Sequence, residues 1–196
     1  QLPQFLAVVS RNVNRLVELV QDMLTLSSLE SGPVLKRELV YPDQLTQDVM
    51  ERLSPMANEK NILIRCQTID RPFTADIGKV DQVLQNLLGN AIKYVQAGGQ
   101  VEVRWQKLSE HDGNHVVLRV IDNGPGILSQ HLPRLFERFY RVDKGRSRDD
   151  GGTGLGLSIV KHVMQIHNGQ VQVFSPPRSS EHFAQGCEFV CTFPLS

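Results

Sequence analysis

The sequence predicts an α/β protein, a two-layer sandwich of one mixed sheet with helices on one face, preceded by one long helix. Three observations predict it. Residues 3–30 place apolar side chains at spacings of three and four without a break, which is helical periodicity. After residue 34, short extended runs alternate with strongly periodic helical segments at 79–95 and 155–167. Two pairs of extended runs, 101–108 with 115–121 and 171–174 with 188–193, are each joined by a polar loop, so they read as antiparallel neighbours packed against those helices.

The 196 residues carry 21 Lys and Arg against 21 Asp and Glu, a net charge of zero, with 40% hydrophobic and 21% charged residues. That is the balance of a soluble globular protein, one domain or one domain plus an appendage. Zero net charge removes the electrostatic case for nucleic acid or an anionic membrane. No apolar run approaches the ~20 residues of a membrane span, and no signal peptide is visible. Three cysteines, Cys66, Cys187 and Cys191, form no C-x-x-C pair and read as buried, reduced thiols rather than disulfides or zinc ligands.

In chain order, Leu6, Val9, Val13, Leu16, Val20 and Met23 form a narrow seam, with Asn12, Arg15, Glu18 and Asp22 off it. A seam of this kind suits a bundle or dimer helix better than a helix packed on its own domain. Gly32-Pro33 stops the helix and divides 1–32 from 33–196. Residues 34–41 read as a strand, Asp43 as the N-cap of a helix to about residue 58, 61–68 as a strand and 72–76 as a short extended piece. The helix 79–95 turns Val80, Val83, Leu84, Leu87, Leu88, Ala91 and Ile92 inward and ends at Gly98-Gly99. The hairpin 101–108/115–121 follows, then a long loop, 128–153. The helix 155–167 is stopped by His167-Asn168-Gly169, and the last two strands flank a polar loop, 175–186, longer than a usual turn and without an assigned role.

Two glycine-rich turns carry the chemistry. Asp122-Asn123-Gly124-Pro125-Gly126-Ile127 follows a strand and sets a carboxylate beside a backbone that a ligand can approach closely. Gly151-Gly152-Thr153-Gly154-Leu155-Gly156-Leu157 opens a helix, whose unpaired N–H groups make an anion site. A carboxylate for a base edge and N–H groups for phosphates suggest a nucleotide pocket, although neither turn fits the P-loop or the dinucleotide fingerprint. On the helix 79–95, Asn86, Asn90 and Lys93 share one stripe with Tyr94 beside it. Amide oxygens suit Mg²⁺, which keeps waters and phosphates as its other ligands, and Lys supplies a point charge for phosphate. A plain solvated polar face is the alternative.

In order, Asn86-Leu87-Leu88-Gly89-Asn90-Ala91-Ile92-Lys93-Tyr94, Asp122 to Ile127, Phe136-Glu137-Arg138-Phe139-Tyr140-Arg141 and Gly152 to Leu157 closely resemble the N, first-glycine, F and second-glycine boxes of the sensor histidine kinases of two-component systems. Four boxes in this order and spacing are a specific signal. The resemblance covers about residues 34–194, the catalytic ATP-binding domain of the GHKL, or Bergerat, ATPase superfamily. Residues 1–32 resemble the second helix of the dimerisation and phosphotransfer domain, which often ends in a stretch like Leu29-Glu30-Ser31-Gly32.

The resemblance implies the Bergerat ATP-binding fold with ATP and Mg²⁺ as ligands. Asp122 would accept a hydrogen bond from the adenine amino group. Asn90 would hold Mg²⁺ with Asn86 assisting, and Lys93 and Tyr94 would meet phosphate and ribose or base. Gly124, Gly126 and Ile127 would line the nucleotide, and Gly152, Thr153, Gly154, Leu155, Gly156 and Leu157 would hinge a lid and bring a helix N-terminus to the phosphates. The loop 128–153 becomes that lid. Phe136, Phe139 and Tyr140 would anchor one end, with Tyr140 also at the nucleotide. Arg141 would face the γ-phosphate, and Arg138 is a second candidate. Lys144, Arg146 and Arg148 follow, either as further phosphate charges or as an exposed cluster offset by Asp149 and Asp150. The implied catalytic set is Asn86, Lys93 and Arg141.

The implied whole protein is a homodimer that phosphorylates a histidine on its own or its partner chain and passes the group to a response-regulator aspartate. The phosphoacceptor belongs on a first dimerisation helix that is absent here; His111, His115, His131, His162, His167 and His182 all lie outside the N-terminal helix. The chain opens on Gln1 and reads as a fragment, a cytoplasmic domain whose parent could carry a membrane anchor elsewhere. Gyrase, mismatch-repair and chaperone ATPases and anti-anti-sigma serine kinases are rivals on the same fold. They have a Glu one turn before the Mg-binding Asn, where this chain has Asn86, which cannot take a proton. A degenerate, non-catalytic binding module is the other rival, and the intact boxes argue against it.

Overall fold

The computed structural model describes residues 2–32, 34–108, 114–142, 152–180 and 182–195. The chain runs α1 (Leu2–Glu30), β1 (Arg37–Val40), α2 (Pro42–Glu59), β2 (Leu63–Gln67), β3 (Phe73–Asp76), α3 (Ile77–Tyr94), β4 (Gln100–Lys107), β5 (His115–Asp122), α4 (Gly156–Ile166), β6 (Gln170–Phe174) and β7 (Cys187–Pro194). A five-stranded sheet in the order β2-β4-β5-β7-β6 pairs β2 parallel to β4 and every other neighbour antiparallel, the mixed sheet the sequence predicts. β1 and β3 do not join it. They form a separate two-stranded ribbon, Arg37 opposite Asp76 through Val40 opposite Phe73. Each is only four residues long, and residues 34–36, expected as strand, lie outside β1. Val40, Phe73 and Ala75 of the ribbon are buried in the common core.

α3 follows its sequence pattern closely. All seven predicted inward residues are buried, because they recur at three and four along one face. The helix starts two residues earlier than expected because Asp76 caps it, accepting from Lys79 N at 3.1 Å. α2 corrects an expectation. Pro42 takes the first helical position, where its fixed φ fits and its missing N–H costs nothing. The cap position falls on Tyr41, and Asp43 sits in the first turn, accepting from the Thr68 hydroxyl at 3.2 Å.

Val101, Val103 and Trp105 alternate toward the core from β4, which meets α3, and Trp105 reaches Phe73 of the ribbon. Trp105 lies 5.8 Å from Phe73 and 6.4 Å from Phe193 between ring centroids, and its indole N–H donates to the buried Thr46 hydroxyl at 2.9 Å. Polar residues take the other positions. Glu188 on β7 is fully buried; it accepts from Arg119 at 2.6 Å and from the N–H groups of Arg178 and Ser179 at 2.7 and 3.0 Å. Burial alone would raise its carboxyl, but these donors and the Ser179 hydroxyl hold it below the usual range.

Cys187 and Cys191 are buried and free, with burial pushing Cys187 up to about 12. Cys66 departs from the expectation: it is exposed, on the edge strand β2, where Ile64 alone is partly buried against the core. In α1 the lower third packs on α4 through Leu26 and Leu29, while every member of the seam from Leu6 to Met23 is exposed, 41–62%. No helix among the described residues is long and apolar enough to cross a membrane.

Thr46→Val keeps the volume but strands the Trp105 N–H in the core. It should lower the unfolding free energy by about 1–3 kcal/mol, measured by urea denaturation; a change within ~0.3 kcal/mol would mean the bond is dispensable.

Candidate active site

α3 spans the site from end to end. Its stripe begins at Asn86, whose Nδ2 donates to Gln82 O at 2.8 Å. The Asn86 Oδ1 lies against the start of α4: a Cβ on Gly156 would fall 2.4 Å from it and would push the Asn86 side chain aside. Asn90 follows one turn on, half-buried. Lys93 comes next, with its Nζ 5.5 Å above the Tyr94 ring and 2.8 Å from where a Gly152 Cβ would stand. Arg141 reaches the same place from the aromatic segment, donating to Gly152 O at 3.1 Å. The stripe of α3, the second glycine turn and Arg141 therefore converge.

The start of α4 is left open. Leu155 holds the cap position fully buried, and no side chain caps the helix. Thr153 instead accepts from Leu155 N at 3.2 Å. First-turn N–H groups at the positive end of the dipole thus remain available to an anion. Leu157 packs on the core and fixes the helix direction. Gly154 has φ +73°, and its carbonyl accepts from Phe139 N at 2.9 Å, stitching the aromatic segment to the glycine turn.

That segment is anchored differently from expectation. Phe136 packs on the core and Leu135 is buried, but Phe139 is 56% exposed with φ +62°. The left-handed backbone that brings its N–H to Gly154 turns the ring outward. Tyr140 is held by its own segment, its hydroxyl 2.7 Å from His131 Nδ1 and its ring under the Arg134 guanidinium at 4.4 Å. Arg138 is engaged by Glu30 of α1. Lys144, Arg146, Arg148 and Gly151 lie outside the described residues.

The first glycine turn lies just past the C-terminus of α3. Asp122 ends β5 with 6% exposure, its Oδ1 accepting from Gly124 N at 2.8 Å. Burial pushes its pKa up to about 6, with the Gly124 and Cys187 N–H groups pulling the other way. Gly126 turns the chain at φ +74°, and Ile127 N donates to the Ser175 hydroxyl at 2.8 Å. The Tyr94 carbonyl stands 3.5 Å from a Gly124 Cβ position, so the C-terminus of α3 abuts this turn.

Three residues the sequence did not single out complete the frame. Lys60 Nζ caps α3, donating to the carbonyls of Ile92, Lys93 and Val95 at 3.1, 2.5 and 3.3 Å. Asp22 of α1 accepts from the Thr153 hydroxyl at 2.6 Å. Ser175 bears on the first turn. None lies in a motif, and only a basic residue ahead of a strand hinted at Lys60.

A buried carboxylate just past the last turn of α3, with Lys93, Arg141 and the open N–H groups of α4 along the stripe that runs back to Asn86, defines a site for a ligand with a base-like head and an anionic tail. The chain belongs to the histidine kinase-, DNA gyrase B- and HSP90-like ATPase family, which matches residues 75–196. Within it, this is the catalytic domain of a sensor histidine kinase. It is 34% identical over 172 residues to the sensor protein kinase WalK of Staphylococcus aureus, covering 86% of this chain and 40% of that protein. Full-length ShkA, solved in complex with AMPPNP, superimposes with a TM-score of 0.80 at 30% identity over 99% of this chain and 39% of its own. The Acinetobacter baumannii histidine kinase AdeS shares the fold, with a TM-score of 0.76 at 23% identity over 97% of this chain and 84% of its own. The chain thus spans well under half the length of WalK and ShkA.

Asp122 holds its proton to about pH 6 when folded, against an ordinary value of 3.8. The proton's contribution to stability is therefore full below about 3.8 and is lost as pH rises through 6, about 3 kcal/mol in all. Asp122→Asn should flatten the stability–pH curve over that window by this amount, read from urea unfolding without nucleotide. An unchanged slope would place the titration elsewhere.

Proposed function

We propose that this chain binds ATP with Mg²⁺ and transfers the γ-phosphoryl group to a histidine on a helix of its own parent or a partner chain, for relay to a response-regulator aspartate. The observation that carries this reading is the convergence of charges and N–H groups on one stripe of α3: buried Asp122 beside its C-terminus, then Lys93 of its last turn with Arg141 and Gly152, and the uncapped α4 against Asn86.

ATP fits these groups. The Asp122 carboxylate accepts from the exocyclic amino group of adenine, and in so dry a position it favours that base over one with a carbonyl there. The backbone of Gly124, Gly126 and Ile127 lines the base, and Tyr94 lies beside it. Lys93, Arg141 and the N–H groups of Gly156 and Leu157 take the phosphate charge, which is most of what phosphoryl transfer asks of a protein. Asn90, with Asn86 one turn before it, offers amide oxygens to Mg²⁺. No cluster of three His, Cys, Asp or Glu occurs among the described residues, so such a cation would rest on amides and phosphates. Bound Mg²⁺ would supply charge neutralisation at the phosphates. Gly152, Thr153, Gly154 and Leu155 form the hinge of the lid, with Tyr140 at its inner end. Asn86 holds no proton and so gives no base to water, which favours a nucleophile such as imidazole.

Residues 1–32 are read as the second helix of a dimerisation domain and 33–196 as the catalytic domain. The exposed seam of α1 would take a helix bearing the phosphoacceptor and support a homodimer. ThkA, a kinase of the same fold solved in complex with the response regulator TrrA, supports the relay partner by analogy. The domain is read as cytoplasmic, with any membrane anchor in the rest of the parent.

Calorimetric titration with ATP, with and without Mg²⁺, tests the pocket. Asp122→Asn should weaken ATP binding more than about tenfold. Gly124 N–H claims the amide oxygen, and the NH₂ then meets the adenine amino group donor against donor. Asn90→Asp should mainly disturb the Mg²⁺-dependent step. Supplied with a separate helix carrying a phosphoacceptor histidine, the parent should produce phosphohistidine while hydrolysing ATP slowly on its own. Rapid hydrolysis by the chain alone would count against kinase chemistry.

A further inference from the structure

The loop 175–186 has no part in the chemistry above, yet it bears directly on the turn that carries Asp122. The Ser175 hydroxyl donates to Gly186 O and accepts from Ile127 N, both at 2.8 Å. Gln185 Nε2 donates to Pro125 O at 3.0 Å from an exposed side chain. Gly186 lies tight against Asp122: a Cβ there would fall 1.8 Å from the Asp122 carbonyl oxygen. The next N–H, that of Cys187, bonds the Asp122 carboxylate, as does Gly124 N–H. The contacts close a ring that runs from the carboxylate to Cys187 and Gly186, across the Ser175 hydroxyl to Ile127, and back along the turn.

The ring is held from behind. Ser175 follows directly on the last residue of β6, and the loop beyond it is tied down by Glu188, which accepts from the Arg178 and Ser179 N–H groups and pairs with Arg119. Phe183 adds a buried side chain, 7% exposed. The hydroxyl is thus a fixed point rather than a surface group that happens to reach the turn. Without it, the N–H of half-buried Ile127 and the C=O of buried Gly186 lose their partners, and the turn must move to recover them.

We propose that Ser175 is a positioning residue for base recognition: by joining Ile127 to Gly186 it fixes the direction in which the Asp122 carboxylate faces the nucleotide, and with Gln185 it makes the loop 175–186 the support of the adenine turn. This rests on the reading of Asp122 as the acceptor for the adenine amino group.

The test compares ATP with inosine triphosphate, which carries a carbonyl where adenine carries its amino group. Both are titrated into the 196-residue chain and its variants, with melting temperatures recorded. Ser175→Ala should raise the ATP Kd about tenfold and the inosine triphosphate Kd less than about twofold, so that the preference between them collapses. Ser175→Thr, which keeps the hydroxyl, should retain the preference. Gln185→Ala, on an exposed side chain with no core to disturb, should reduce the preference in the same direction by about threefold. A merely structural role would weaken both nucleotides alike, and that result in the Ser175 and Gln185 variants overturns the proposal. If the parent itself does not prefer ATP and Asp122→Asn changes nothing, the Asp122 reading falls and takes this proposal with it.

Discussion

One buried carboxylate organises the site. Asp122 ends the central strand β5 with two backbone N–H groups on its oxygens, and that arrangement constrains everything around it. The strand must stop there, because the chain has to turn sharply for Gly124 to reach back to the side chain. β7 must lie in register so that Cys187 falls opposite Asp122. Gly186 must lack a side chain, because the backbone of β5 occupies the space. Burying a carboxylate is unfavourable, as the upward pull on its pKa records. A fold retains such a group where a ligand donor can repay the loss.

α3 turns that local arrangement into a site of defined length. Its apolar face locks it to the sheet through seven buried side chains, so its polar face has no freedom to rotate. Eight residues separate Asn86 from Tyr94, about 12 Å of helix, and Lys60 clamps the last turn through three carbonyls. Groups placed along that stretch keep their spacing.

What was legible in the sequence follows from the range of each interaction. The inward face of α3, the paired strands, both glycine turns and the Asn86–Asn90–Lys93 stripe depend on neighbours within a few residues, and periodicity or turn chemistry exposes them. The loop 175–186 was visible as an anomaly of length but not as a support, because the partners of Ser175 are Ile127, 48 residues away, and Gly186 across its own hairpin. Lys60 and Asp22 are equally silent: each acts on a backbone or hydroxyl brought near by tertiary packing. Asp43 misled because an acidic residue beside a proline satisfies two helix-start rules at once, and proline, with only one position that suits it, decided between them. The ribbon of β1 and β3 looked like part of the sheet because four-residue strands carry no mark of which partner they take.

α1 meets the nucleotide-facing half at two separate points, Asp22 to Thr153 beside the glycine turn and Glu30 to Arg138 in the aromatic segment. Eight residues apart, they stand roughly 12 Å from each other along the helix axis. Two fastenings at that separation behave as a bracket rather than a pivot: they resist both tilt and twist of the rod. A torque applied far up α1 would therefore load Thr153 and Arg138 together, as a shear between the two fastenings that bypasses the sheet.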